Sequence, residues 1–271
     1  MARYRLHLVA LFLIPAMLSA ESVSYVSLAA AIIEERLALA SPDNATRFER
    51  LQKLFGDSGC TGDRLQEQVV SKKGQPNVIC TLPGDTESAI LIGAHFDTKT
   101  PSAGVADNWS GAALLPSLFE ALKHTRRKHT YIFVGFTDEE KGLLGSKHFV
   151  SKLSKEAKIN IAAMINIDTL GLSAMNVWVS HSDKKLVDML FGVASVLKVD
   201  LRGLEMAGVG TTDSESFAFT KIPRIAISSV TRSTLPILHS KADVMKAMDL
   251  PVYYDSYKTL CVYLTYLDQK L

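Results

Sequence analysis

Histidines and carboxylates recur in this chain where apolar runs end. Leu91-Ile92-Gly93-Ala94 leads into His95-Phe96-Asp97, and Tyr131-Ile132-Phe133-Val134-Gly135-Phe136 into Thr137-Asp138-Glu139-Glu140. Ile161-Ala162-Ala163-Met164-Ile165-Asn166-Ile167 is followed by Asp168. Between the first two lies Gly104-Val105-Ala106-Asp107-Asn108-Trp109-Ser110-Gly111, and late in the chain comes Leu238-His239-Ser240-Lys241-Ala242-Asp243. Singly these residues are ordinary. A histidine at a strand end is usually a hydrogen-bonding group, paired glutamates a solvated face, and Asp107 an N-cap. Together they bring at least five carboxylates and two histidines to one edge of a sheet. Like charges raise one another's pKa, so such a set stays ionised only around a cation. Imidazole and carboxylate without thiolate suit zinc and other first-row divalent ions.

Spacing suggests roles. Residues two apart on a strand point the same way, so His95 can bind a metal while Asp97 holds its ring. Glu139 and Glu140 leave a strand in a turn and diverge, so one can ligate while the other acts as general base. No Gly-x-Ser-x-Gly elbow and no His-Glu-x-x-His helix occurs, which argues against serine hydrolases and the common single-zinc helix proteases.

A scaffold must bring these strand ends together. Helical patterns cover residues 24–39 and 44–54, with Asp43 and Asn44 as N-caps for the second. Strand-like stretches at 65–71, 77–82 and 89–94 are split by Lys73-Gly74-Gln75-Pro76 and Pro83-Gly84-Asp85. A helix over 110–123, opened by Ser110 as a capping residue, precedes a strand at 131–136, a helix at 143–153 and a strand at 161–167. A strand at 176–180, a helix at 184–197, a strand at 224–228 and a closing helix at 250–267 follow. Buried strands alternating with helices predict an α/β fold, with a mixed, mainly parallel central sheet flanked by helices on both faces. Ligands in such sheets sit at the carboxyl ends of the strands, where the histidines and carboxylates fall.

The 271 residues suffice for one large domain. Arg3 and Arg5, the apolar stretch 8–18 and the small residues Ser19 and Ala20 read as a secretory signal peptide over residues 1–20, cleaved after 20 or 22. That leaves 21–271 as a single catalytic domain, secreted or periplasmic, with no stable membrane insertion. Removing the leader takes away two arginines and no acid, so 28 basic residues balance 28 acidic ones. Nothing in that balance points to nucleic acid as a partner. Cys60, Cys80 and Cys261 form no disulfide framework and no metal-binding pair. Whether Cys60 and Cys80 pair stays open, and Cys261 reads as buried.

In order and spacing, these motifs resemble the M28 family of zinc peptidases, the aminopeptidase and glutamate-carboxypeptidase-like group. The resemblance runs from about Asn77 to the C-terminus. It rests on His95-Phe96-Asp97, Asp107-Asn108-Trp109-Ser110-Gly111, Glu139-Glu140 with Gly142 and Gly145-Ser146, Asp168 and His239. It implies a zinc exopeptidase-like fold, peptide substrates and two zinc ions per chain. One ion would be held by His95 and Asp168, the other by Glu140 and His239, with Asp107 bridging. Glu139 would be the general base and Asp97 would orient His95. The most direct expectation is an aminopeptidase acting on short peptides, since the chain lacks room for large inserted domains.

The chain departs from the family around the substrate. Many members have Asp-His where this chain has Asp213-Ser214, and the turn 208–212 lacks the tyrosine that some members supply to an oxyanion. Other readings are a carboxypeptidase, if Arg202, Arg224 or Arg232 faced the metals, a single-zinc glutaminyl cyclase, or a member with a dead site. Trp109 can line the pocket or pack in the core. His124, His129, His148 and His181 lie outside the motifs, the first two in a basic stretch expected to be a solvated loop. Asn44-Ala45-Thr46 and Asn108-Trp109-Ser110 match the N-glycosylation pattern, the second beside the expected metals.

Overall fold

The computed structural model describes residues 25–205, 208 and 210–271. The expected leader lies outside the described residues. Eight strands form one sheet in the order β1-β2-β4-β3-β5-β8-β6-β7. They are β1 (Leu65–Gln68), β2 (Asn77–Leu82), β3 (Ala89–His95), β4 (Thr130–Phe136), β5 (Ile161–Ile167), β6 (Asn176–Trp178), β7 (Arg202–Leu204) and β8 (Arg224–Ser228). The centre is parallel: β3 pairs with β4 and β5, and β5 pairs with β8. β2 joins β4 antiparallel and carries β1 antiparallel at one edge. At the other edge β6 runs antiparallel to β8 and parallel to β7.

Every residue of β3 is buried, as a strand covered on both faces requires. On one face pack α1 (Ala30–Leu37), α2 (Asn44–Asp57), α3 (Ser110–Leu122), α6 (Lys184–Leu197) and α7 (Leu250–Lys270), and the larger core lies between them and the sheet. On the other face α4 (Leu144–Lys152) and the turn Asp213–Phe217 set Phe149 and Phe217 against Leu91, Val134, Phe136 and Met164. The short helix α5 (Lys155–Asn160) leads into β5.

Several local expectations change. The first helix starts at Ala30, because the backbone N–H groups of Val26 and Leu28 are taken by the Ala121 carbonyl and the Tyr257 hydroxyl. β1 stops at Gln68 and β6 at Trp178, where a 3-10 turn follows. Asp43 caps α2 through the Thr46 N–H, whereas Asn44 exchanges two hydrogen bonds with the backbone of Thr98. Ser110 does not cap α3: its hydroxyl donates to the Ala106 carbonyl and accepts the Leu170 N–H. His129 is buried, not solvated, because the Asp268 carboxylate of α7 accepts its backbone N–H and faces its Nδ1 at 3.2 Å. Cys60 and Cys80 are disulfide-bonded, tying the end of α2 to β2, and Cys261 is a buried free thiol. Among the described residues no helix is long and apolar enough to cross a membrane.

Candidate metal centre

His95 ends β3 with its ring buried. Its Nε2 lies 3.3 Å from Asp107 Oδ1 and 3.6 Å from Asp168 Oδ1, while Nδ1 lies 3.2 Å from the Asp97 carbonyl and 3.4 Å from Asp97 Oδ1. The other oxygen of Asp107 is 3.1 Å from His239 Nε2, which also sits 2.9 Å from Glu140 Oε1. Two clusters of possible ligands result, His95–Asp107–Asp168 and Asp107–Glu140–His239, with Asp107 in both. Within each, the ligand atoms lie no more than 4.8 Å apart. Among the described residues Glu140 Oε1 is buried without a hydrogen-bond partner, although the His239 imidazole faces it. Acceptor atoms converging on one point, one of them an orphan, are what a bound divalent ion requires.

Main chain sets these ligands in place. Asp97 does more than face His95: its Oδ1 accepts the Glu139 N–H at 3.0 Å and its Oδ2 the Glu140 N–H at 3.2 Å. One carboxylate therefore fixes the backbone of both adjacent glutamates. Gly145 lets the start of α4 lie against the Thr137 carbonyl, which an added Cβ would strike. Asp107 lies in a tight turn over Val105–Trp109, and Asn108 joins that turn to the end of β5. Asn108 Nδ2 donates to the Ile167 carbonyl at 2.9 Å, and its Oδ1 accepts the N–H groups of Gly111 and Thr169. A Cβ on Gly111 would come within 2.5 Å of that oxygen, which accounts for glycine there.

Two residues absent from the sequence-level site complete it. Asp243 is fully buried, and its carboxylate accepts the N–H of Ala106 at 2.6 Å, the N–H of Asp107 at 3.2 Å and the Ser102 hydroxyl at 3.1 Å. Arg47, also fully buried, donates to the carbonyls of Phe96, Ser41, Ala103 and Gly104. Burial lowers its pKa to about 10, against the opposing pull of Asp97, Asp107, Asp243 and Glu140. No local pattern marks either residue, since both act on partners far away in sequence.

Without a metal, so many acids in one buried place hold protons. Burial, reinforced by Asp213, Asp168 and Asp107, pushes the Glu139 carboxyl up to about 10. Burial and Asp107 push Glu140 up to about 7. Burial likewise raises Asp213 to about 7, with Asp168 and Asp97 adding to it. Burial opposes a charge on His95, but Glu139, Asp107, Asp168 and Asp97 overcome it and raise its pKa well above the usual imidazole value. Asp107 is held below the ordinary carboxylate range: burial resists its ionisation, and His239 and His95 outweigh it. A divalent cation removes this mutual repulsion.

The two clusters open into a cleft of about 530 Å³. Trp178, Val230, Leu235 and Leu238 give it an apolar side, and Lys99 is its cationic lining residue among those described. Trp109 does not line it: the indole is buried, donates to the Arg36 carbonyl and stacks beneath Arg47. Arg224 instead pairs with Glu215, which also holds His181, and Arg202 pairs with Asp200 at the surface. Among the described residues neither arginine nor tyrosine lines the cleft.

Fold and site together define the class. The chain belongs to peptidase family M28, whose pattern it matches over residues 77–264. A probable leucine aminopeptidase of Arthroderma otae is 26% identical over 222 residues, covering 73% of this chain and 58% of that relative. The chain thus spans little more than half the length of that relative. An aminopeptidase of Legionella pneumophila, LapA, superposes with a TM-score of 0.75 at 20% identity, covering 94% of this chain and 79% of that one. A glutaminyl cyclase from an Acidobacteriales bacterium also reaches 0.75, at 18% identity, covering 93% of this chain and all of the other. At such identities these likenesses establish the fold.

Proposed function

We propose that this protein is a di-zinc exopeptidase and, within that class, an aminopeptidase releasing apolar N-terminal residues from short peptides. The observation that carries the reading is a pair of imidazole–carboxylate clusters sharing Asp107, with Glu139 beside them in an open cleft. His95 and Asp168 would hold one ion, Glu140 and His239 the other, and Asp107 both. Zinc held there would supply a Lewis acid for a peptide carbonyl and a water acidified to neutral pH. Glu139 takes the proton of the attacking water and returns it to the leaving amine. Asp97 fixes Glu139 for that task through its backbone N–H. The apolar side of the cleft suits an aliphatic or aromatic side chain at the substrate's first position. A location outside the cytoplasm goes with this reading and is supported by the Cys60–Cys80 disulfide.

A panel of free and N-blocked aminoacyl substrates, assayed with and without chelator, tests the proposal. Release from free N-termini that stops on chelation is expected. Cleavage of N-blocked peptides from the C-terminal end refutes the aminopeptidase assignment, and chelator-insensitive cleavage refutes the zinc chemistry. Cyclisation of N-terminal glutamine, with one zinc per chain, identifies a cyclase instead.

A further inference from the structure

His95 and His239, the two imidazoles of the centre, are held in different ways. The ring of His95 is buried, and the nitrogen turned away from the cluster faces both the carbonyl and the carboxylate of Asp97. Metal-binding histidines are usually oriented by such a partner on the second nitrogen. The His239 side chain is 48% exposed. Its Nε2 faces Asp107 and Glu140, and among the described residues its Nδ1 has no partner. Its backbone has a left-handed φ of 58°, which a non-glycine residue keeps only where its surroundings impose it. The position of this ring must therefore come from the main chain that carries it.

That main chain is anchored four residues further on. Residues 237–247 form a series of tight turns closed by their own backbone bonds, including Ser240 N–H to Ile237 O and Asp243 N–H to Ser240 O. Among the described residues, and apart from the contacts of the His239 ring with Asp107 and Glu140, the hydrogen bonds of 239–244 that leave this stretch are those to the Asp243 carboxylate. They reach Ala106, Asp107 and Ser102. Asp243 thus joins the segment bearing one metal-binding residue to the backbone of the loop bearing another. The Asp107 loop has further anchors of its own, in Arg47 at Ala103 and Gly104 and in Asn108 at Ile167 and Thr169.

We infer that Asp243 is a positioning residue that builds the outer metal position, Asp107–Glu140–His239, by docking the His239 segment onto the Asp107 loop. The inference rests on the two-metal reading. The position at His95 and Asp168 keeps its geometry without Asp243, because the Asp107 loop stays pinned by Arg47 and Asn108. Loss of Asp243 should therefore weaken one ion and spare the other.

The test is zinc binding, measured without reference to activity. Metal-free protein is titrated with zinc against a competing chelator, and stoichiometry and both affinities are recorded. A wild-type chain that takes up a single ion refutes the two-metal reading itself, and with it this inference, before any variant is made. Given two ions in the wild type, Asp243→Asn is expected to hold one with unchanged affinity and the other about 10–100-fold more weakly. His239→Ala should show the same one-sided loss, and the double variant no more than His239→Ala alone. Hydrogen exchange at the Ala106 and Asp107 amides should quicken in Asp243→Asn while the amides of β3 and β5 stay protected. Ser102→Ala removes one of the three bonds without disturbing the charge. It gives a milder reading should Asp243→Asn fail to fold: a loss of about 3–10-fold at the same single ion. Equal weakening of both ions, or wild-type affinity for both, overturns the inference.

Discussion

Asp97→Asn separates two views of what this carboxylate does. If it only steers the His95 ring, the amide is a mild change, because the Asp97 backbone carbonyl also faces Nδ1 at 3.2 Å. The geometry says otherwise. One oxygen accepts the Glu139 N–H at 3.0 Å and the other the Glu140 N–H at 3.2 Å, and Asp97 is buried. An asparagine keeps one acceptor, so in either orientation one backbone N–H meets an NH2 group. A buried donor left without an acceptor costs about 1–3 kcal/mol. Because Glu140 is a proposed ligand, that strain should appear as a loss of zinc affinity of about 5–150-fold, the same energy expressed as a binding ratio. Because Glu139 is the proposed base, kcat at saturating zinc should fall as well. Chelator-competition titration of the metal-free variant measures the first quantity, and steady-state kinetics in excess zinc the second. Wild-type zinc affinity together with wild-type kcat in Asp97→Asn would show that this carboxylate holds neither glutamate in place. A fall in affinity with kcat fully restored by zinc would return Asp97 to a role at the ligands alone.

Three other outcomes are expected. Glu139→Gln should lower kcat by about 10²–10⁴-fold and leave zinc content intact; loss of metal on that change would mean the roles of Glu139 and Glu140 are exchanged. In the metal-free chain, burial holds Glu140 and Asp213 near 7, above ordinary carboxylate values, so the folded state binds more protons than the unfolded state from about pH 4 to pH 7. Thermal stability of the metal-free protein should therefore fall as pH rises through that window, and zinc should flatten the slope; a melting temperature that climbs from pH 5 to pH 7 without metal would contradict it. The Cys60–Cys80 bond spans a sequence separation of 20, so replacing both cysteines by serine should cost about 3 kcal/mol and lower Tm by about 6–12 °C in calorimetry.

The proposed ligands at strand ends could be picked out because the strands announce themselves. β3, β4 and β5 are continuous apolar runs, so their ends are fixed by composition, and His95, Glu139–Glu140 and Asp168 stand at those ends. What escaped the sequence is short or distant. α5 has six residues and β7 three, too few to establish a period against their polar neighbours. Ser110 looked like a cap because its chemistry fits one, yet its hydroxyl is claimed by Leu170, 60 residues away. His129 sits among basic residues, which suggests solvent, but its partner Asp268 lies 139 residues on. Arg47 and Asp243 are alike in this: charged residues whose burial is compensated largely by backbone groups that only folding brings to them.

Asn108 carries a practical consequence for producing the protein. It lies within Asn-Trp-Ser, a sequence that the oligosaccharide-adding machinery of a eukaryotic secretory pathway accepts on an unfolded chain. Once folded, the side chain is sealed, with both ends of its amide bonded to the main chain. A glycan attached during translocation would therefore bar the loop from closing on β5, and enzymatic trimming afterwards would come too late for molecules already misfolded. Expression in a host that does not glycosylate should give uniformly competent protein, and a glycosylating host a mixture in which the modified fraction binds no zinc.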